Sequence, residues 1–281
     1  MDRGVRVRRR NLSSAARRYL EADAIVVSIP KSGRTWLRVF LQAYFCALEG
    51  IPFIFDKYKL PNGKIQRLVY THDLWRHLAS AGFADRLRGK HLIPRKAVET
   101  KPIILMARDP RDVMVSLYFQ WTRRAHAYRG AISEMIRDRR LGIWPVVNIM
   151  NTWMVEWGSR RDFKLVRYED CREDTEKEFR DVLLFLGVDK VDVAAMRQAI
   201  EFCSFENMRA MEAAGRFETK ILKPGDVNDP ESFKVRRGIV GGYRRYLEPG
   251  DVEYLKQAIS ALDPRFGYRV EERRSSQPAT S

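Results

Sequence analysis

Lys31, Ser32, Gly33, Arg34 and Thr35 put two cations, two hydroxyls and a glycine into five consecutive positions, a density of donors that suits an oxyanion. The apolar run 25–29 precedes them and an amphipathic stretch follows, so they sit on a loop between a buried strand and a helix start. Backbone N–H groups at a helix N-terminus add partial positive charge and favour an anion above them. Against the nucleotide loop G-x-x-x-x-G-K-[ST], Ser28 stands for the first glycine and Arg34 for the lysine, while Gly33 and Thr35 stay in register. The loop is a relative of that pattern, not a copy.

A second group of donors follows the apolar run 103–107. Asp109 and Pro110 are N-cap and first-turn signals, and Asp112 adds a first-turn carboxylate, so a helix starts where the strand stops. Arg108 is left at the strand end with Ser116 about two turns along the helix. A guanidinium with paired donors and a nearby hydroxyl suits a phosphate. The competing reading pairs Arg108 with Asp109 or Asp112 at the cap and nothing more. Of the histidines His72, His77, His91 and His126, only His72 falls at the end of an expected strand, 68–70. Ligands of open α/β sheets lie beyond the carboxyl ends of the strands, so His72 shares a rim with Lys31. A neutral imidazole there can accept a proton near neutral pH.

These segments resemble the sulfotransferases that use 3′-phosphoadenosine 5′-phosphosulfate (PAPS). The 5′-phosphosulfate loop of that family, P-K-[SA]-G-[ST]-x-W, is matched by Pro30, Lys31, Ser32, Gly33 and Trp36, with Thr35 at the open position and Arg34 departing from the small hydroxyl. Its 3′-phosphate segment, R-[DN]-P-x-D-x-x-x-S-x-Y, is matched by Arg108, Asp109, Pro110, Asp112, Ser116 and Tyr118. Thr71-His72 is similar to the pair that carries the catalytic base, although Tyr70 stands where the family usually has a lysine. Tyr168-Glu169-Asp170 resembles a strand end whose tyrosine lies near adenine. Residues 203–208 resemble T-S-F-x-x-M with Cys203 for threonine, which implies that Phe205 stacks on adenine opposite Trp36. Residues 236–243 resemble R-K-G-x-x-G-[DE]-W: Arg236, Gly238 and Gly241 match, Arg237 keeps the charge of lysine, and Gly242 and Tyr243 depart.

The resemblance implies PAPS as donor, PAP as product and no metal. It implies cofactor contacts from Lys31, Ser32, Gly33, Arg34, Thr35, Trp36, Arg108, Ser116, Tyr168, Phe205, Arg236, Arg237 and Gly238, with His72 and Lys31 catalytic. Whether Arg34 reaches the sulfonate or solvent stays open. The acceptor is a hydroxyl on a glycan, lipid, phenol or peptide tyrosine.

The elements that must position these groups are legible as periodicity. Leu37, Phe40, Leu41, Tyr44, Phe45 and Leu48 predict a helix stopped by Gly50 and Pro52. Further helices are expected over 146–157, 179–187, 193–200 and 251–262, a strand over 163–170, and a long loop over 215–242. The expected fold is α/β, a single domain over 19–270 with a central parallel sheet flanked by helices, like that of P-loop nucleotide kinases. Residues 1–18 are expected to form a mobile basic arm and 271–281 a polar tail. The arginines of 121–142 suit either an acceptor site or a solvated face.

A net charge of +16 and a pI near 10.0 imply anionic partners without choosing among them. Two rival classes stand beside the transferase: a nucleotide-dependent kinase, disfavoured by the missing Gly-Lys pair, and a basic nucleic-acid-binding module, for which no recognition motif is visible. No specific nucleic acid is expected, and contact of the basic arm with a membrane surface stays open. Three dispersed cysteines without a metal spacing indicate a reducing compartment, and no uncharged apolar run is long enough to span a bilayer. The expectation is a soluble, cytoplasmic protein.

Overall fold

The computed structural model describes residues 14–55, 67–80, 82–87, 89, 92–217 and 219–269. Strands β1 (Ala24–Ser28), β2 (Leu68–Thr71), β3 (Ile103–Ala107) and β4 (Phe163–Arg167) form one parallel sheet in the order β2-β1-β3-β4. The two central strands, β1 and β3, are buried along their whole length. That is why their sequences are nearly uninterrupted apolar runs rather than alternating ones.

Alternate side chains of each central strand feed two cores. Ile25, Val27, Ile103 and Leu105 face one, with helix α1 (Ser14–Leu20), Pro110–Phe119, Ile143–Trp157 and Pro249–Ser260 packed over them. Val26, Ile104 and Met106 face the other, beneath α2 (Arg34–Leu48), Thr175–Phe185 and Val193–Phe202. In that second core the Phe40 and Phe179 rings lie 4.2 Å apart, both fully buried. Truncating either to alanine should cost about 3–5 kcal/mol.

The chain leaves β1 for β2 on one side and later builds β3 and β4 on the other. A crevice therefore opens at the carboxyl ends of β1 and β3, where α/β sheets bind ligands.

Several boundaries differ from those expected. The strand expected over 163–170 stops at Arg167, and Tyr168 opens a helix, Tyr168–Glu173. Glu169 and Asp170 in its first turn complement the helix dipole, and Asp170 pairs with Arg167 at 2.9 Å. The last helix begins at Pro249, a residue pre-set for a first helical turn. Residues 14–18, expected in the arm, belong to α1, which Tyr19 ties to β2 by donating to Thr71 Oγ1. The stretch after His72 contains helices α3 (Asp73–Ser80), Phe83–Leu87 and Arg95–Thr100 that no periodicity had indicated. Residues 1–13, the Pro61-Asn62-Gly63 stretch, whose residue types favour a turn, and the tail 271–281 lie outside the described residues.

Candidate active site

Each strand delivers a candidate residue directly beyond its carboxyl end: the Lys31 loop after β1, His72 after β2, Arg108 after β3 and Tyr168 after β4. All four line one open cleft of about 1050 Å³, together with Gly33, Arg34, Thr35, Trp36, Ser116, Phe205, Arg236, Arg237 and Gly238. Ser32 is buried beneath it.

The loop is held in an unusual backbone conformation. Lys31 has φ 72° and Gly33 φ 87°, so a non-glycine residue occupies the left-handed region beside a glycine that also needs it. A Cβ on Gly33 would lie 2.8 Å from the Tyr168 ring, so the loop can pack on that tyrosine only because Gly33 has none. Helix α2 then starts without a side-chain cap, leaving its first N–H groups directed at the loop.

Lys31 Nζ donates to Gln120 Oε1 at 3.2 Å, in a π-helical turn over Gln120–Arg124. Burial, then the charges of Lys234, Arg124, Arg236 and Arg108, hold its pKa well below that of an ordinary lysine. Arg108 donates to the carbonyls of Lys31 (3.3 Å) and Ile239 (3.1 Å) and stacks over Tyr168 at 4.4 Å. Asp112 lies 3.6 Å from its guanidinium. The cap pairing weighed for Arg108 thus exists only loosely, and Asp109 pairs instead with Arg111.

His72 Nδ1–H donates to the Ser28 carbonyl at 2.9 Å, with Ser28 Oγ 3.2 Å from the same nitrogen. A carbonyl only accepts, so in the neutral ring the basic lone pair is on Nε2. Asp73 does not orient the ring: it accepts from the Ile93 N–H at 2.8 Å, and burial pushes its pKa up to about 6.

At the Trp36 end of the cleft the Trp36 ring meets Tyr168 and Phe179 edge-on, at 5.8 and 5.1 Å. Phe205 covers Gly238, whose added Cβ would be 2.8 Å from that ring. Cys203, in the place of a threonine, has its pKa pushed up to about 12 by burial; it lines the cleft, and its thiol donates to the Ile200 carbonyl at 3.6 Å. Arg236 and Arg237 both reach Glu231, at 2.6 Å each, and Arg236 also donates to Tyr246.

Sequence reasoning missed Gln120, Arg172, Glu231, Lys234 and Tyr246. Arg172 lies over the Trp36 ring at 5.8 Å, and Lys234 lines the cleft immediately before the matched Arg236 segment. Only the latter's adjacency to a matched segment could have flagged it.

A parallel sheet with a loop leading into a helix at its switch point, facing basic and aromatic residues, defines an open α/β fold of the P-loop-like kind. More narrowly, the chain belongs to the sulfotransferase domain family, whose model matches residues 21–267. It is 24% identical over 255 residues to cytosolic sulfotransferase 8 of Arabidopsis thaliana, covering 82% of this chain and 73% of that protein. To sulfotransferase 2A1 of Macaca fascicularis it is 24% identical over 246 residues, covering 83% and 81%. Solved folds similar to it include retinol dehydratase in complex with androsterone and inactive cofactor PAP (TM-score 0.59, 17% identity, 85% of this chain and 79% of that one). Another is mouse sulfotransferase SULT7A1 complexed with PAP (TM-score 0.58, 18% identity, 85% and 84%).

Proposed function

We propose that this cleft binds PAPS and transfers its sulfuryl group to a hydroxyl acceptor by in-line displacement, releasing PAP. The observation that carries the reading is the convergence of the Lys31 loop, His72, Arg108 and the 236–238 segment on one cleft from four distant parts of the chain. Two buried polar atoms without partners, Ser32 Oγ and Arg108 Nε, and two glycines packed against aromatic rings suit a large polyanion with an aromatic base.

PAPS, when bound, supplies a sulfuryl group activated by its anhydride bond to phosphate. His72 Nε2 takes the acceptor's proton as the acceptor oxygen bonds to sulfur. The bond from sulfur to the bridging oxygen breaks, and its electron pair leaves on the phosphate of PAP. Lys31 meets the charge that grows on that oxygen, where a fixed cation in a half-buried site stabilises the transition state more than the ground state. Arg108, Ser116 and Arg236 receive the 3′-phosphate, with Arg237 beside them. For Arg236 and Arg237 this means sharing or releasing Glu231. Trp36 and Phe205 hold the base, and Tyr168 supports the loop from below. We place the enzyme in the cytoplasm, as the names of its plant relatives suggest.

Isothermal titration tests this directly. PAP should bind, while ATP with magnesium and duplex DNA should not compete. Arg108→Ala should weaken PAP about tenfold to a hundredfold, the loss of a charge-assisted pair. Adenosine 5′-phosphosulfate, which lacks the 3′-phosphate, should lose far less, and Ser116→Ala should show the same ordering. Equal weakening of both nucleotides would remove Arg108 from the 3′-phosphate site.

A further inference from the structure

The cleft holds more positive charge than its donor requires. Eight of its lining side chains are cationic against one carboxylate, Asp112, and Glu231 is shared between Arg236 and Arg237. A 3′-phosphate and a phosphosulfate together bring about four negative charges.

Lys234 is half-buried with Arg124 and Arg34 as its charged neighbours, and it in turn is the largest charge acting on Lys31. Burial first, then those arginines, lower its pKa to about 7. The acid nearest to it in the fold, Glu212, spends its two oxygens on the backbone N–H groups of Lys234 and Val235, at 2.7 and 2.8 Å. Among the described residues neither Lys31 nor Lys234 has a carboxylate within ion-pair distance. Like charges held together out of water are costly unless an anion joins them.

Position then decides which anion. Arg34 opens α2 and acts on Tyr70, two residues before His72, as well as on Lys234. Both cations line the same cleft as the His72 imidazole, where the acceptor must enter. Neither is supplied by the matched motifs: Arg34 is a departure within the first loop, and Lys234 precedes the last.

We infer that the hydroxyl acceptor is itself acidic, carrying a carboxylate, sulfate ester or phosphate ester that Lys234 and Arg34 receive while its hydroxyl reaches His72. The inference rests on the sulfuryl-transfer reading above and narrows its acceptor class. Nothing new is made or broken: the oxyanion is held, and the hydroxyl of the same molecule reacts.

The test compares acceptors that differ only in the acid: 2-naphthol with 6-hydroxy-2-naphthoate, phenol with 4-hydroxyphenyl phosphate, and phenol with 4-hydroxyphenyl sulfate. Binding to the PAP-saturated enzyme is measured by titration calorimetry, and turnover at saturating PAPS alongside. For at least one acid the wild-type protein should prefer the acidic member about tenfold or more, in Kd and in kcat/KM. The three pairs separate the sources of the oxyanion. In Lys234→Met and in Arg34→Thr the acidic-to-neutral ratio should collapse to about unity, and Lys234→Arg should restore it. No preference for any acid would overturn the inference while leaving the sulfotransferase reading intact. A Lys234→Met variant that loses acidic and neutral acceptors alike would also overturn it, because the cation would then serve the donor's sulfonate. Failure of PAP itself to bind would instead sink both readings together.

Discussion

The Ser28 carbonyl accepts from His72 Nδ1–H, and that bond turns a strand-end histidine into a candidate base with its lone pair on Nε2. His72→Asn should leave PAP binding unchanged within about twofold and lower sulfuryl transfer about a hundredfold or more, measured by radiolabelled sulfate transfer. Near-normal turnover in a folded variant would move the base elsewhere. Lys31 and Lys234 titrate where most lysines do not. Both have pKa values lowered by burial and by neighbouring cations, so above pH 7 the empty cleft holds fewer protons than the unfolded chain. A bound polyanion raises both again. PAP binding should therefore take up protons above about pH 7, where Lys234 has lost its proton in the empty cleft, and weaken as pH rises further. Calorimetry in buffers of different ionisation enthalpy reads the uptake, and proton release would contradict the assignment.

At the scale of elements, the long segment 215–242 is held over the cleft at defined points. Asp112 accepts from the N–H groups of Gly241 and Tyr243, at 2.8 and 2.9 Å, and Glu212 does the same for Lys234 and Val235. Arg209 donates to the carbonyls of Val235 and Arg236, and Arg124 to those of Ile221 and Lys223. Segments with so little secondary structure keep a binding geometry only through such anchors. Glu212→Gln replaces one acceptor oxygen by a donor facing a backbone N–H, at a cost of about 1–3 kcal/mol. Proteolysis within 215–242 should then accelerate about tenfold, with far-UV circular dichroism unchanged and protection restored by PAP. Cleavage at the wild-type rate would show that the segment is held by its apolar contacts, among them buried Phe217, Leu222 and Phe233.

For the whole molecule, ligand binding and stability are one equilibrium. At a hundred times its Kd, PAP should stabilise the fold by about 2.7 kcal/mol. In a domain of this size that corresponds to a rise in Tm of roughly 5–10 °C. Differential scanning fluorimetry measures it, and ATP at the same concentration should give much less. The opposite order, with magnesium present, would favour the kinase reading over the transferase.

The sequence alone carried the parts of this protein that are local. β1 and β3 were legible because a strand buried on both faces must be apolar throughout, and α2 because its buried face repeats every three to four residues. The loop before α2 and the Asp109-Pro110 helix start were legible because a strand end and a helix N-terminus are marked by adjacent residues. The short helices after His72 were not, since five to eight residues are too few to show a period. What only the tertiary structure decided are through-space relations. These are the nitrogen of His72 that bears the proton, the sharing of Glu231 by Arg236 and Arg237, and the meeting of Arg34, Arg124 and Lys234 beside Lys31. Residues 34, 124 and 234 come from an α-helix, a π-turn and a loop, and charge acts across distance without leaving any pattern along the chain.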